Sequence, residues 1–297
     1  MVLKRSGYTY ALLAICIFAM QDGISKYLGG LYPPVFITMI RFWAFGAFAI
    51  LVAARASGGL AAAVRSRRPV LQILRGVMLA VQIIIIINAF TAVGLAHTQA
   101  ILSASPIFVA LLSMPLLGEK VGWRRWTAIV IGLFGVLLIL KPETGGIDRS
   151  ILLPMVGAVL FALYVIATRL ANRDDSAMTS FFYLGAAGAV VVTLIGPFFW
   201  TTLAPVDWFW MLLLCITGTS SHYFLIRAYD LLDASAVQPL TYLQLVLGAI
   251  IGVSVFGETL SLNMIAGSVI VVAAGIFTVW RESLVRRRAA RSNPGES

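Results

Sequence analysis

Apolar residues run through this chain in blocks about as long as a bilayer is thick, which leaves the backbone few options. A hydrocarbon core about 30 Å thick takes roughly 20 residues of helix, and inside it each backbone N–H and C=O must find a partner within the segment. Ten such blocks are centred near residues 18, 44, 80, 106, 131, 160, 188, 217, 246 and 270. Composition agrees: 60% of residues are hydrophobic, 11% are charged, and the mean hydropathy is +0.96. The expected fold is an all-α integral membrane protein with ten transmembrane helices, short loops and no soluble catalytic domain. The first block follows Lys4 and Arg5 as a secretion signal would. It is too long for one, and carries Asp22 and Lys26 before any small-residue cleavage site, so it is expected to remain in the protein.

A net charge of +10 would suggest nucleic acid in a soluble chain, so the placement of the charge decides. Assigning loops alternately to the two sides puts eighteen Lys and Arg on one side, only Lys26, Lys141 and Arg149 on the other, and Arg41 inside the second helix. Positive loops stay in the cytoplasm. The expectation is a multi-pass protein of the inner membrane with both termini cytoplasmic and no nucleic-acid partner. The segment "RESLVRRRAARSNPGES" ends the chain as a basic tail suited to anionic lipid.

Reactive groups are scarce. Cys16 and Cys215 each sit within an apolar block, His97 and His222 stand alone, and no Gly-rich loop runs into Lys and Ser or Thr. No catalytic residue, metal site or cofactor is expected, and the chain reads as no enzyme.

Sliding the sequence against itself reveals weak repeats in order. An offset of 139 sets Ala89, Phe90 and Gln99 on Ala228, Tyr229 and Gln238, and Gly118 and Glu119 on Gly257 and Glu258. An offset of 143 sets Phe18, Ala19 and Lys26 on Phe161, Ala162 and Arg169. Two halves of five helices follow, 1–145 and 146–283, with the tail at 284–297. Five is odd, so the second half would enter the membrane inverted.

The segment "QPLTYLQLVLGAIIGVSVFGETLSLNMIAGSVIVVAAGIFTVWRE" (238–282) resembles the last two helices of the drug/metabolite transporter superfamily, EamA type, and "ASPIFVALLSMPLLGEKVGWRRWTAIVIGLFGVLLIL" (104–140) resembles the matching part of the first half. Within that superfamily the chain is most similar to YddG-type amino-acid exporters. The resemblance implies ten helices, a cavity between two halves, and alternating access for small metabolites, usually outward.

Polar groups that would be costly against lipid mark where such a cavity lies. Phe18, Gln21, Asp22 and Ser25 share one face of the first helix, and Tyr164 and Thr168 occupy the equivalent face of the sixth. Gln82 and Asn88 interrupt the third helix; Ser103 lies beside Pro106; His222 closes a run of hydroxyls on the eighth; Tyr242 and Gln244 follow Pro239 on the ninth. Each proline frees a carbonyl that can bind a ligand or permit a bend. The expected substrate site is Phe18, Gln21, Asp22, Gln82, Ser103, Tyr164, His222, Tyr242 and Gln244. Amides, hydroxyls and rings suit a neutral or zwitterionic small molecule with an apolar part, and Arg41 alone is too little for a polyanion. Asp22 and Lys26, four residues apart, are spaced to pair along the helix. Glu119 and Glu258 are expected to organise turns and cap the helices that follow. The glycines of "GLFGVLL" and "GSVIVVAAG" are expected to let helices pack closely. The whole reads as a monomeric exporter of amino acids, aromatic or apolar, in a lipid bilayer. The alternatives are a multidrug or other metabolite efflux carrier and, further off, a membrane enzyme or scaffold, which would need a reactive cluster at the interface.

Overall fold

A computed structural model describes residues 2–56, 58–118, 123–140, 149–232 and 234–292. Among the described residues there are twelve α-helices: α1 (Val2–Gly29), α2 (Pro34–Arg55), α3 (Gly59–Val64), α4 (Pro69–Ala92), α5 (Leu95–Leu102), α6 (Ser105–Leu117), α7 (Trp123–Ile139), α8 (Leu152–Ala171), α9 (Ala177–Ile195), α10 (Asp207–Leu231), α11 (Ala234–Phe256) and α12 (Leu262–Ser292). Every apolar block lies in helix, the fourth one split into α5 and α6, and short α3 joins the second block to the third. Six segments are long and apolar enough to cross a bilayer, from Ser6–Gly29 to Ala177–Phe199, and Trp126–Ile139, Leu240–Phe256 and Leu262–Phe277 are shorter apolar helices. The basic tail does not begin as a separate element, because α12 continues to Ser292. The expected boundary at 145/146 lies outside the described residues, as do Glu119, Lys120 and Lys141.

Proline places several of the helix ends. Pro34 and Pro69 open α2 and α4, where a missing N–H costs no hydrogen bond. Pro106 has the opposite effect because it falls within an apolar block. It cannot donate to the carbonyl of Leu102, four residues back, and the helix breaks at 103–104. The freed carbonyl is taken by the Ser105 hydroxyl at 2.6 Å, so it closes the break rather than facing a ligand.

Packing partners exchange between the halves. Let α1, α2, α4, α5–α6 and α7 trade places with α8, α9, α10, α11 and α12. Then α1 on α10 becomes α8 on α4, α4 on α9 becomes α10 on α2, and α1 on α11 becomes α8 on α6; α2 on α9, α5 on α11 and α7 on α12 map onto themselves. Two large apolar clusters, with two small ones, hold the fold. One joins α5 to α8 with α11 and α12 around Ile101, Ile107, Ile129, Ala162 and Val271; the other joins α1, α2, α4, α9 and α10 around Leu28, Phe36, Phe42, Ile87 and Leu214. Each cluster mixes both halves, so neither half owns a core of its own. Gly135 and Gly267 of the two quoted runs serve the α7–α12 crossing: a Cβ on Gly267 would stand 2.6 Å from the Gly135 carbonyl oxygen.

Candidate substrate site at the seam of the two clusters

Asp22 of α1 sits where the two clusters meet, nearly buried at 8% exposed. Its Oδ2 accepts a hydrogen bond from Gln99 Nε2 of α5 at 2.6 Å and another from Gln244 Nε2 of α11 at 2.7 Å. Two amide donors keep a carboxylate in low-dielectric surroundings at less cost than a bare charge. They come from opposite halves, so this one oxygen ties the halves together. The expected pairing of Asp22 with Lys26 does not form. Lys26 lies a turn nearer the helix end, its amine passes 4.4 Å from the centre of the Phe256 ring, and it bonds the Glu258 carboxylate instead.

Beside Asp22, Arg41 of α2 is buried and within electrostatic reach of it. The guanidinium lines a small cavity of about 10 Å³ with Phe42, Phe45, Leu79, Ile83, Gly218, Thr219 and His222, close to what one water molecule needs. Gly218 makes this possible, because a Cβ there would lie 3.0 Å from Arg41 Nε and 3.2 Å from Gln21 Oε1. His222 holds its Nδ1 at 2.8 Å from the Gly218 carbonyl, which assigns that nitrogen as a donor. Its ring stands edge-on to Phe18 at 5.1 Å and tilted against Phe45 at 5.5 Å.

The structure therefore brings Gln21, Asp22, Gln244, His222 and Phe18 to one neighbourhood. Gln82 is buried on α4 next to Ile83 of the cavity wall. Tyr164 lies apart, its ring under Arg75 at 5.7 Å. Ser103 spends its hydroxyl on the Ala100 carbonyl at 2.6 Å, at the end of α5. Tyr242 points away: its buried hydroxyl lies only 1.6 Å from where a Cβ of Gly275 on α12 would be. Asn88, Thr217, Ser220 and Ser221 bond carbonyls of their own helices, which is how such groups commonly settle in lipid. Gln99 and Arg41 were mentioned by the sequence only as a repeat partner and a lone charge. Their buried placement is the signal, and it needs the fold to be seen.

Polar networks close both ends of the bundle. At one end Tyr27 and Tyr32 donate to Asp207 at 3.0 and 2.6 Å, and Glu258 accepts from Lys26 and from the amides of Leu95 and Ala96 at 2.7 and 2.8 Å. Glu258 thus caps α5, a helix of the other half, rather than α12 that follows it. Gly94 has φ +94°, a left-handed turn that brings the two amides to the carboxylate. Burial raises the pKa of Glu258, but Lys26 and the two amides outweigh burial and hold it below the usual carboxylate range. At the opposite end Arg75, buried in α4 rather than lying in a loop, bonds Thr168 of α8 at 2.9 Å and Gln72 beside it. Gln72 donates to Asp175 at 2.9 Å and to Ser180 at 3.2 Å, and the Arg67 amide reaches Asp175 at 2.7 Å. Burial again pushes Asp175 upward, and the donors Ser66, Gln72 and the local amides more than offset it, leaving it lowered.

Among the described residues no group of three or more His, Cys, Asp or Glu is arranged to hold a metal ion. A profile of the EamA-like transporter family matches residues 5–141 and again residues 148–280. An S-adenosylmethionine uptake transporter of Rickettsia prowazekii is 27% identical over 93% of each chain, and the pseudopaline exporter CntI of Pseudomonas aeruginosa is 27% identical over 92% of this chain and 96% of its own. A riboflavin transporter of Vibrio cholerae is 31% identical over 63% of this chain and 64% of its own. A solved crystal structure of a protein that is 20% identical superposes with a TM-score of 0.61, covering 97% of this chain and 98% of its own, which speaks for the fold. With apolar helices long enough to cross a bilayer and one family profile fitted twice along nearly its whole length, this chain is a multi-pass membrane protein that belongs to the EamA-like transporter family.

Proposed function

We propose that the protein is a carrier, not an enzyme, that exports an amino acid with an apolar side chain by alternating access, binding it at the Asp22 seam. The observation that carries this reading is a carboxylate held in the interior by one glutamine from each half. A charge kept there at a cost, on the surface where two intertwined halves meet, is placed where a substrate can be bound and released as the halves move. Opposite charge at Arg41 and an apolar wall of Phe42, Phe45, Leu79 and Ile83 suit a zwitterion with a hydrophobic side chain. Relatives named for uptake and for export of different metabolites support a small-molecule cargo, and S-adenosylmethionine itself carries an amino-acid group.

Ten spans in two inverted halves, 1–145 and 146–283, complete the reading. Its support is the exchange of helix partners between halves and the family profile that fits each half once. The charge split supports an inner-membrane protein with both termini cytoplasmic and no nucleic-acid partner, and the reading takes it to work as a monomer. The test is flux of radiolabelled phenylalanine and methionine in proteoliposomes containing only this protein. Saturable flux, lost on adding excess unlabelled amino acid, is expected; flux no greater than in empty liposomes refutes the reading.

A further inference from the structure

The cavity holds a buried cation that the described residues leave without a hydrogen-bonding partner. Arg41 is 7% exposed, and among the described residues it makes no hydrogen bond or ion pair. Asp22, the opposite charge within reach, gives Oδ2 to Gln99 and Gln244. A largely buried guanidinium whose five donors no described residue answers is costly, and cost of this kind persists where a ligand repays it. A second observation lies beside it. Gln21 is 4% exposed, its Oε1 is buried with no hydrogen-bond partner, and it converges with Arg41 Nε on the space that Gly218 leaves open. An unanswered donor set that lines the cavity and an unanswered acceptor just behind it thus meet at Gly218.

We infer that Arg41 is the residue that recognises the substrate's carboxylate, while Gln21 and Asp22 receive its ammonium group. This rests on the carrier reading above and assigns the two ends of the substrate within it. Guanidinium matches carboxylate through two parallel N–H···O bonds, a geometry that lysine lacks. The side chain of the substrate then falls against Phe42, Phe45, Leu79 and Ile83. At about 10 Å³ the cavity has room for no more than about one water molecule, so the assignment requires it to widen when substrate binds.

The test compares phenylalanine with phenylalaninamide, which keeps the ammonium and the ring but has no carboxylate, in proteoliposomes of the full chain. Wild type is expected to prefer the acid by roughly tenfold or more, the worth of a charge-assisted hydrogen bond. Arg41→Gln should bring the ratio toward one, and Arg41→Lys should keep part of the preference. Gly218→Ala leaves every charge in place but crowds the guanidinium, so it should lower the ratio too; it serves where Arg41→Gln does not insert. An unchanged ratio in the variant that inserts, or a wild type that moves acid and amide equally, removes the role of Arg41 and leaves the carrier intact. A wild type that moves neither compound removes the amino-acid reading and this assignment with it.

Discussion

Glu258 holds three donors at once: the Lys26 amine and the amides of Leu95 and Ala96. Replacing it by alanine strands a cation whose side chain is 15% exposed and two N–H groups at the start of α5. The expected loss is about 2–4 kcal/mol. Lys26→Met should cost less, because Glu258 keeps both amides; thermal unfolding of the purified variants in detergent gives the order, and equal losses would deny the cap. The sign of the pH effect follows from the lowered pKa of Glu258. Its contribution is complete above the usual carboxylate range and fades as pH falls through the lowered value. Stability of wild type should therefore drop in acid more than that of Glu258→Gln, which has no carboxylate to protonate at that position.

At the scale of elements, α11 and α12 meet where Gly275 accommodates Tyr242. Gly275→Ala overfills that crossing and should cost about 1–3 kcal/mol. Tyr242→Phe in the same chain removes the hydroxyl in the way and should restore most of it, a coupling that unfolding of the two singles and the double would reveal. Simple addition of the two losses would show that the contact is not tight. The helices themselves were legible, because apolar length alone selects them and Pro106 announces the break between α5 and α6. Pro239 gives the same signal without a break: it is the sixth residue of α11, and the helix runs through it. Asp22, Gln21 and Gln244 were also legible as polar groups in apolar surroundings. Their partners were not. Gln99 lies 77 residues from Asp22, and Lys26 finds Glu258 across 232 residues, so spacing along one helix pointed to the wrong carboxylate. Tyr242 shows the same limit: residues two apart on a helix face differently, and only Gln244 turns to Asp22.

Across the molecule the two end networks occupy exchanged positions. Asp207 at the start of α10 binds Tyr27 and Tyr32 at the end of α1 and beyond, while Asp175 after α8 binds Ser66, Arg67 and Gln72 at the start of α4. Both networks are formed here. Asp207→Ala should open one end and Asp175→Ala the other. A cysteine at Ser25, buried one turn from Asp22, reports this in a background without Cys16 and Cys215. Labelling by a membrane-impermeant thiol reagent should rise roughly tenfold from outside in the first variant and from the cytoplasmic side in the second. Labelling from the same side in both would break the exchange. The central claim is that Asp22, held between the halves, is where cargo is bound. Its most direct test is radiolabelled phenylalanine exchange in proteoliposomes of wild type and Asp22→Ala, at matched amounts of correctly folded protein. The account predicts saturable exchange in wild type and a fall to the empty-liposome level in the variant; undiminished exchange by Asp22→Ala would contradict it.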